Sequence, residues 1–131
     1  VTTSKSDSII IKNLKEQIDV VVISSETSGT TKKRCEKIGL KCFDAIQNKK
    51  QKIKDIIIEK GYNWEDTVYI GNDLNDIVPI MLSGYSFAPS DSDPLILDLV
   101  NEVLPVKGGE GVLRYIFNKY FNFINPIVDL N

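Results

Sequence analysis

The chain has 131 residues, enough for one domain with a modest core. It is 42% hydrophobic and 26% charged, which excludes disordered and fibrous classes. The net charge of −2 gives no overall pull toward nucleic acid or an acidic membrane, so neither is expected as a partner.

Taken in chain order, Ser8 to Gln17 reads as a helix. Asp19 to Ser24 ("DVVVIS") is a β-branched run without polar alternation, the pattern of a strand buried on both faces. Thr30 to Ile38 is a polar, lysine-rich helix ending at Gly39, and Lys41 to Ile46 is a short strand. Lys49 to Lys60 is a helix with Ile53, Ile56 and Ile57 on one face, closed by Gly61. Thr67 to Ile70 is the next strand. Asp76 to Ser83 is a short helix whose Pro79 is tolerable only near the first turn. Tyr85 to Ala88 is a strand. Ser92 or Asp93 caps a helix through Val100, with Pro94 at its first position. Glu102 to Pro105 is a last short strand. After the turn "VKGGEG", Val112 to Phe123 is a helix with Leu113, Ile116, Phe117, Tyr120, Phe121 and Ile124 on one stripe, and 122–131 is a tail. No apolar run is long enough to span a bilayer.

Alternating strands and helices, with apolar strands that do not alternate, predict a doubly wound, three-layer α/β/α sheet of Rossmann-like form. Ligands in such sheets bind at the carboxyl ends of the strands. There is no histidine, which removes Ser-His-Asp and Cys-His nucleophiles and histidine-bearing metal sites. Cys35 and Cys42 are expected as buried free thiols in a reducing cytoplasm. Chemistry is left to carboxylates, hydroxyls, lysines or a hard metal.

Three clusters follow strand ends: Ser24-Ser25-Glu26-Thr27, Asn48-Lys49-Lys50 and Gly71-Asn72-Asp73-Leu74-Asn75-Asp76. A hydroxyl and a lysine suit a phosphate, and carboxylates with an amide oxygen suit Mg²⁺. Each also has an ordinary reading. "GNDLND" is a plausible Asx-rich turn with a helix cap, Ser24 a backbone hydrogen-bonder, and the lysines (with Lys52 and Lys54) a solvated helix face. Their order on consecutive α/β units is what favours a shared Mg²⁺–phosphate site.

With these residues in place, the sequence resembles the haloacid-dehalogenase superfamily. More narrowly it resembles the capless branch of 3-deoxy-octulosonate 8-phosphate phosphatases and the domain following some acylneuraminate cytidylyltransferases. "VYIGNDLNDIVPIMLSGYSFAPSDSDPLI" carries the most specific similarity, and "DSIIIKNLKEQIDVVVISSET", "CEKIGLKCFDAIQNKKQKI" and "GGEGVLRYI" extend it from about Asp7 to about Phe121. The resemblance implies that Ser24 binds the phosphoryl group, with Ser25 beside it. It makes Lys49 the catalytic, charge-balancing lysine (Lys50 the fallback), Asn72, Asp73 and Asp76 the metal motif, and Asp7 a substrate-pocket residue. It further implies a phosphorylated acidic sugar as substrate and a homo-oligomer, a tetramer.

Departures accompany it. Glu26 stands where the family usually has arginine, which argues against holding an anionic sugar in the usual way. Asn72 replaces an acid, and Glu110 a basic residue. The family's nucleophile segment has no match: the sequence opens on Val1 and shows no leader pattern. The expectation is therefore a single domain over 1–131, incomplete at its N-terminus and lacking the first central strand. It would not hydrolyse phosphate esters alone. Two functions remain open: a Mg²⁺-dependent sugar-phosphate phosphatase, or a catalytically silent assembly domain of an acylneuraminate cytidylyltransferase. A response-regulator-like or nucleotide-binding domain is a third, weakened by the missing glycine-rich loop.

Overall fold

The computed structural model describes the backbone of residues 5–121 and the side chains of residues 9–121. In chain order the elements are α1 (Lys5–Gln17), β1 (Val21–Ile23), α2 (Thr30–Ile38), β2 (Lys41–Phe43), α3 (Lys49–Lys60), β3 (Val68–Ile70), α4 (Ile77–Leu82), β4 (Tyr85–Ala88), α5 (Pro94–Leu99), β5 (Glu102–Val103) and α6 (Val112–Tyr120). Short 3-10 turns at Trp64–Asp66 and Leu74–Asp76 lead into β3 and α4. Asp7 falls in α1, but its side chain lies outside the described residues, as do Ile124 and the expected 122–131 tail. All strand pairs are parallel, and the fold is of the α/β class. Among the described residues no helix is long and apolar enough to cross a membrane.

The chain divides into two compact units: Val1–Ile46 with Gly109–Asn131, and Gln47–Gly108. In the first, β1 lies parallel to β2, with Val21 opposite Lys41 and Ile23 opposite Phe43. Ile11, Cys35, Leu40 and Cys42 form one core cluster, and Ile10, Leu14 and Phe117 another. Phe117 is fully buried, so the aromatic stripe of α6 is at this position ordinary core packing. Cys35 and Cys42 are buried free thiols. Burial first, then the neighbouring Cys42, pushes the Cys35 thiol up to about 11, which leaves it protonated and a poor nucleophile at neutral pH.

In the second unit the strand order is β3-β4-β5. The central β4 buries Ser86, Phe87 and Ala88. A cluster of Ile80, Ala88 and Ile96 takes in Tyr69, Ile77 and Leu97 from its flanks. β1 departs from the expectation of a strand buried on both faces, being only partly buried, and β3 is likewise partly buried, with Val68 exposed. Each pairs with a strand on one side only among the described residues, whereas β4 pairs on both.

Local chemistry sets the element ends. α3 begins where the Asn48 side chain accepts the Gln51 N–H (3.0 Å) and stops at Gly61, whose φ of 75° is the left-handed conformation glycine permits. Asn48→Ala should lower stability by about 1 kcal/mol, seen as a lower urea midpoint at unchanged slope. Of the two caps left open for α5, Asp93 is the one: its carboxylate accepts the Leu95 N–H (2.9 Å), while the Ser92 hydroxyl donates to the Pro89 carbonyl. The helix expected from Asp76 starts instead as a 3-10 turn and becomes α-helical at Ile77, because Asp73 and Asp76 close a reciprocal capping box over Leu74–Asp76.

Candidate active site

The carboxyl end of β3 turns sharply at Gly71. A Cβ there would lie 2.7 Å from the Asp76 Cβ and 3.0 Å from Ile80 Cδ1, so only glycine lets the chain fold back this closely. The turn brings Asp76 inward to 2% exposure. Its Oδ1 accepts from the Lys49 ammonium (2.9 Å) and the Tyr69 hydroxyl (2.6 Å). Its Oδ2 accepts from the backbone N–H groups of Asn72 (3.0 Å) and Asp73 (3.2 Å). Four donors fill the acceptor positions a carboxylate has.

The electrostatics follow from those contacts. Burial pushes the Asp76 pKa up. The hydrogen bonds from Tyr69 and Lys49, the Asn72 N–H and the lysine charge outweigh it and hold the group below the usual carboxylate value. Burial foremost, then the Asp76 hydrogen bond and charge, raises Tyr69 above the ordinary phenol value, so it stays a hydrogen-bond donor. Lys49 is first in α3, and the helix start fixed by Asn48 aims it at Asp76; Lys50, the alternative, is exposed.

Asn72 and Asp73 are exposed. Asp73 Oδ1 accepts the Leu74 N–H (2.7 Å), and the Asn72 carbonyl accepts the Asp93 N–H (3.0 Å), tying this turn to the start of α5. Asp76, expected among the metal ligands, accepts from four protein donors in this structure. Among the described residues no group of three or more His, Cys, Asp or Glu could hold a metal. At this turn the exposed Asp73 carboxylate and Asn72 amide oxygen are available to a cation. That set suits Mg²⁺ with a water-rich shell, since Mg²⁺ commonly takes one or two carboxylates and keeps several waters.

Ser24 and Ser25 belong to the other unit. The Ser24 N–H donates to the Phe43 carbonyl (2.9 Å), and its hydroxyl oxygen accepts the Glu26 N–H (3.0 Å), a local turn just past β1. Ser25 is exposed. The Glu26 carboxylate accepts from the Ser28 and Thr31 hydroxyls, which with desolvation opposing and Arg34 assisting lower its pKa and keep it charged. Lys49, Asn72, Asp73 and Asp76 are thus brought together within one unit. Tyr69 joins them and was not singled out from the sequence: in "VYI" it reads as an apolar strand residue. The available signal was a phenol two positions before Gly71, where the turn that carries the carboxylates begins.

The profile of haloacid dehalogenase-like hydrolases matches residues 2–116. The chain belongs to this family. Within it, the similarity runs to 3-deoxy-D-manno-octulosonate 8-phosphate phosphatases. The Haemophilus influenzae enzyme is 32% identical over 110 residues, covering 82% of this chain and 61% of that protein. The chain thus spans only part, between 55% and 61%, of these curated relatives. The cobalt-bound structure of the octulosonate 8-phosphate phosphatase from H. influenzae aligns with a TM-score of 0.78 at 28% identity, covering 90% of this chain and 70% of that one. The Moraxella catarrhalis phosphatase, solved with magnesium, phosphate and a KDO molecule, shares the haloacid dehalogenase-like fold (TM-score 0.80, 18% identity, 90% and 71% covered).

Proposed function

We propose that the protein carrying this chain is a Mg²⁺-dependent phosphatase of a phosphorylated acidic sugar. The observation that carries this reading is the buried Lys49–Asp76 pair at the end of β3, in a chain of the haloacid dehalogenase-like family. In this reading Asp73 and Asn72 hold the ion, which would neutralise charge on the phosphoryl oxygens. Lys49, held in place by Asp76, presents a fixed positive charge to the same group. Ser24, whose oxygen already accepts the Glu26 N–H, keeps its hydroxyl proton free to donate. Because the chain spans only 55% to 61% of these curated relatives, hydrolysis is proposed for the whole protein and not for these residues alone.

The test is phosphate release from 3-deoxy-octulosonate 8-phosphate by the intact protein, with Mg²⁺ and after its removal by chelation. Activity should vanish without the ion, and Lys49→Ala should lower kcat/KM about a hundredfold or more. Activity equal in Lys49→Ala, or indifferent to chelation, would overturn the reading.

A silent assembly domain is favoured by one observation: Glu26, held charged by the Ser28 and Thr31 hydroxyls, places a fixed negative charge two residues beyond Ser24. Under that reading the intact protein is a homo-oligomer, and light scattering returns its full mass after Lys49→Ala while phosphate release is absent throughout.

A further inference from the structure

We infer that Tyr69 is a positioning residue, whose hydroxyl fixes the carboxylate that in turn holds Lys49 and the Asn72–Asp73 turn. Its functional half rests on the phosphatase reading above; its structural half does not.

Asp76 is the one group that touches all the other members of the cluster, and its two oxygens are divided between two tasks. Oδ2 holds the backbone of Asn72 and Asp73, while Oδ1 holds the lysine. A carboxylate with only those partners could trade one for another by rotating about its Cβ–Cγ bond. The 2.6 Å bond from Tyr69 to Oδ1 opposes that rotation, because it pins the oxygen facing Lys49 from a second direction. The phenol is itself anchored: Tyr69 sits in β3 in register with Ser86, and its ring packs against the Ile80, Ala88 and Ile96 cluster. The chain of support runs from sheet to ring, from ring to carboxylate, and from carboxylate to the ammonium and the turn. Deleting one hydroxyl leaves the ring and its packing in place and removes only the link to Asp76.

Tyr69→Phe makes that deletion. Tyr85→Phe is the matched control, since it removes a phenol hydroxyl from the neighbouring strand whose partner is Glu102. In the intact protein, hydrogen exchange at the Asn72 and Asp73 amides should quicken about tenfold in Tyr69→Phe, while amides of β4 and α5 stay protected. The Lys49 ammonium resonance should broaden. On octulosonate 8-phosphate kcat should fall about tenfold with KM little changed, and Tyr85→Phe should alter none of these. Unchanged exchange at Asn72 and Asp73 overturns the inference, as does a uniform rise across the whole chain, which would mark Tyr69 as merely structural. If no variant or wild type releases phosphate, the phosphatase reading fails alone, and the exchange and ammonium data still decide the role of Tyr69.

Discussion

Asp76→Asn should destabilise the protein by about 3–5 kcal/mol at neutral pH, in urea unfolding followed by tryptophan fluorescence and far-UV dichroism. The size follows from what remains behind. The Lys49 side chain is 11% exposed and Asp76 3%, so removing the negative charge leaves an ammonium with little water to replace its partner. An asparagine also offers a single carbonyl oxygen to four donors. If that oxygen keeps the Asn72 and Asp73 N–H groups, the new amide NH₂ faces both the ammonium and the phenol. If it turns the other way, the two backbone donors lose their acceptor. Either orientation strands buried donors, each of them costly.

The same site gives a signed pH dependence. The Asp76 pKa is lowered in the fold, so the unfolded chain binds its proton more readily. The stabilisation is fully present above the unfolded carboxylate value of about 4 and is lost as pH falls through the folded value. The stability of wild type minus that of Asp76→Asn should therefore be flat from about pH 5 upward and shrink below about pH 4. A difference that grew on acidification would mean the pair is not what holds the turn.

The sequence was most legible where a helix carried its own punctuation. α2 and α3 were read to the residue because Gly39 and Gly61 end them and "NKK" opens the second. Four of the five strands were read too long, and only Tyr85–Ala88 was read to both ends. Asp19 to Ser24 has β-branched composition throughout, yet only Val21–Ile23 pair with β2, since composition reports a preference and pairing needs a neighbour in register. Burial of β1 was misjudged for the same reason: whether a strand has neighbours on both sides is a tertiary fact.

At the site, Lys49 and Asp76 are 27 positions apart, and nothing in spacing alone joins them. Their meeting follows from β3 and α3 presenting their ends together, and the family resemblance anticipated it. Resemblance named Asp76 as a ligand, and the folded chain adds that four donors converge on its carboxylate, which no spacing in the sequence shows. Tyr69 escaped notice because burial of its ring and exposure of its hydroxyl to Asp76 are a single event of folding.

Gly84→Ala should be more damaging than its one added carbon suggests, with an expected loss of about 3 kcal/mol or more and, at 37 °C, loss of soluble protein. A Cβ on Gly84 would stand 2.0 Å from the Glu65 carbonyl oxygen and 2.8 Å from its carbonyl carbon. The obstacle is backbone and not the end of a flexible side chain, so a rotamer change cannot relieve it. The backbone there is also tied from both sides. The Gly84 N–H lies 3.0 Å from the carbonyls of both Trp64 and Thr67, and the Tyr85 N–H donates to Thr67 (3.2 Å). Moving Gly84 outward breaks these bonds at the point where β4 begins to pair with β3, from Val68 opposite Tyr85 to Ile70 opposite Phe87. That register places Tyr69, and through Tyr69 it places Asp76. Any soluble Gly84→Ala protein should therefore show faster amide exchange at Asn72 and Asp73 as well as a lower melting temperature. A variant that melts like wild type would mean the Trp64–Asp66 turn yields without cost, and that the close approach of Glu65 to Gly84 is not what sets the β3–β4 register.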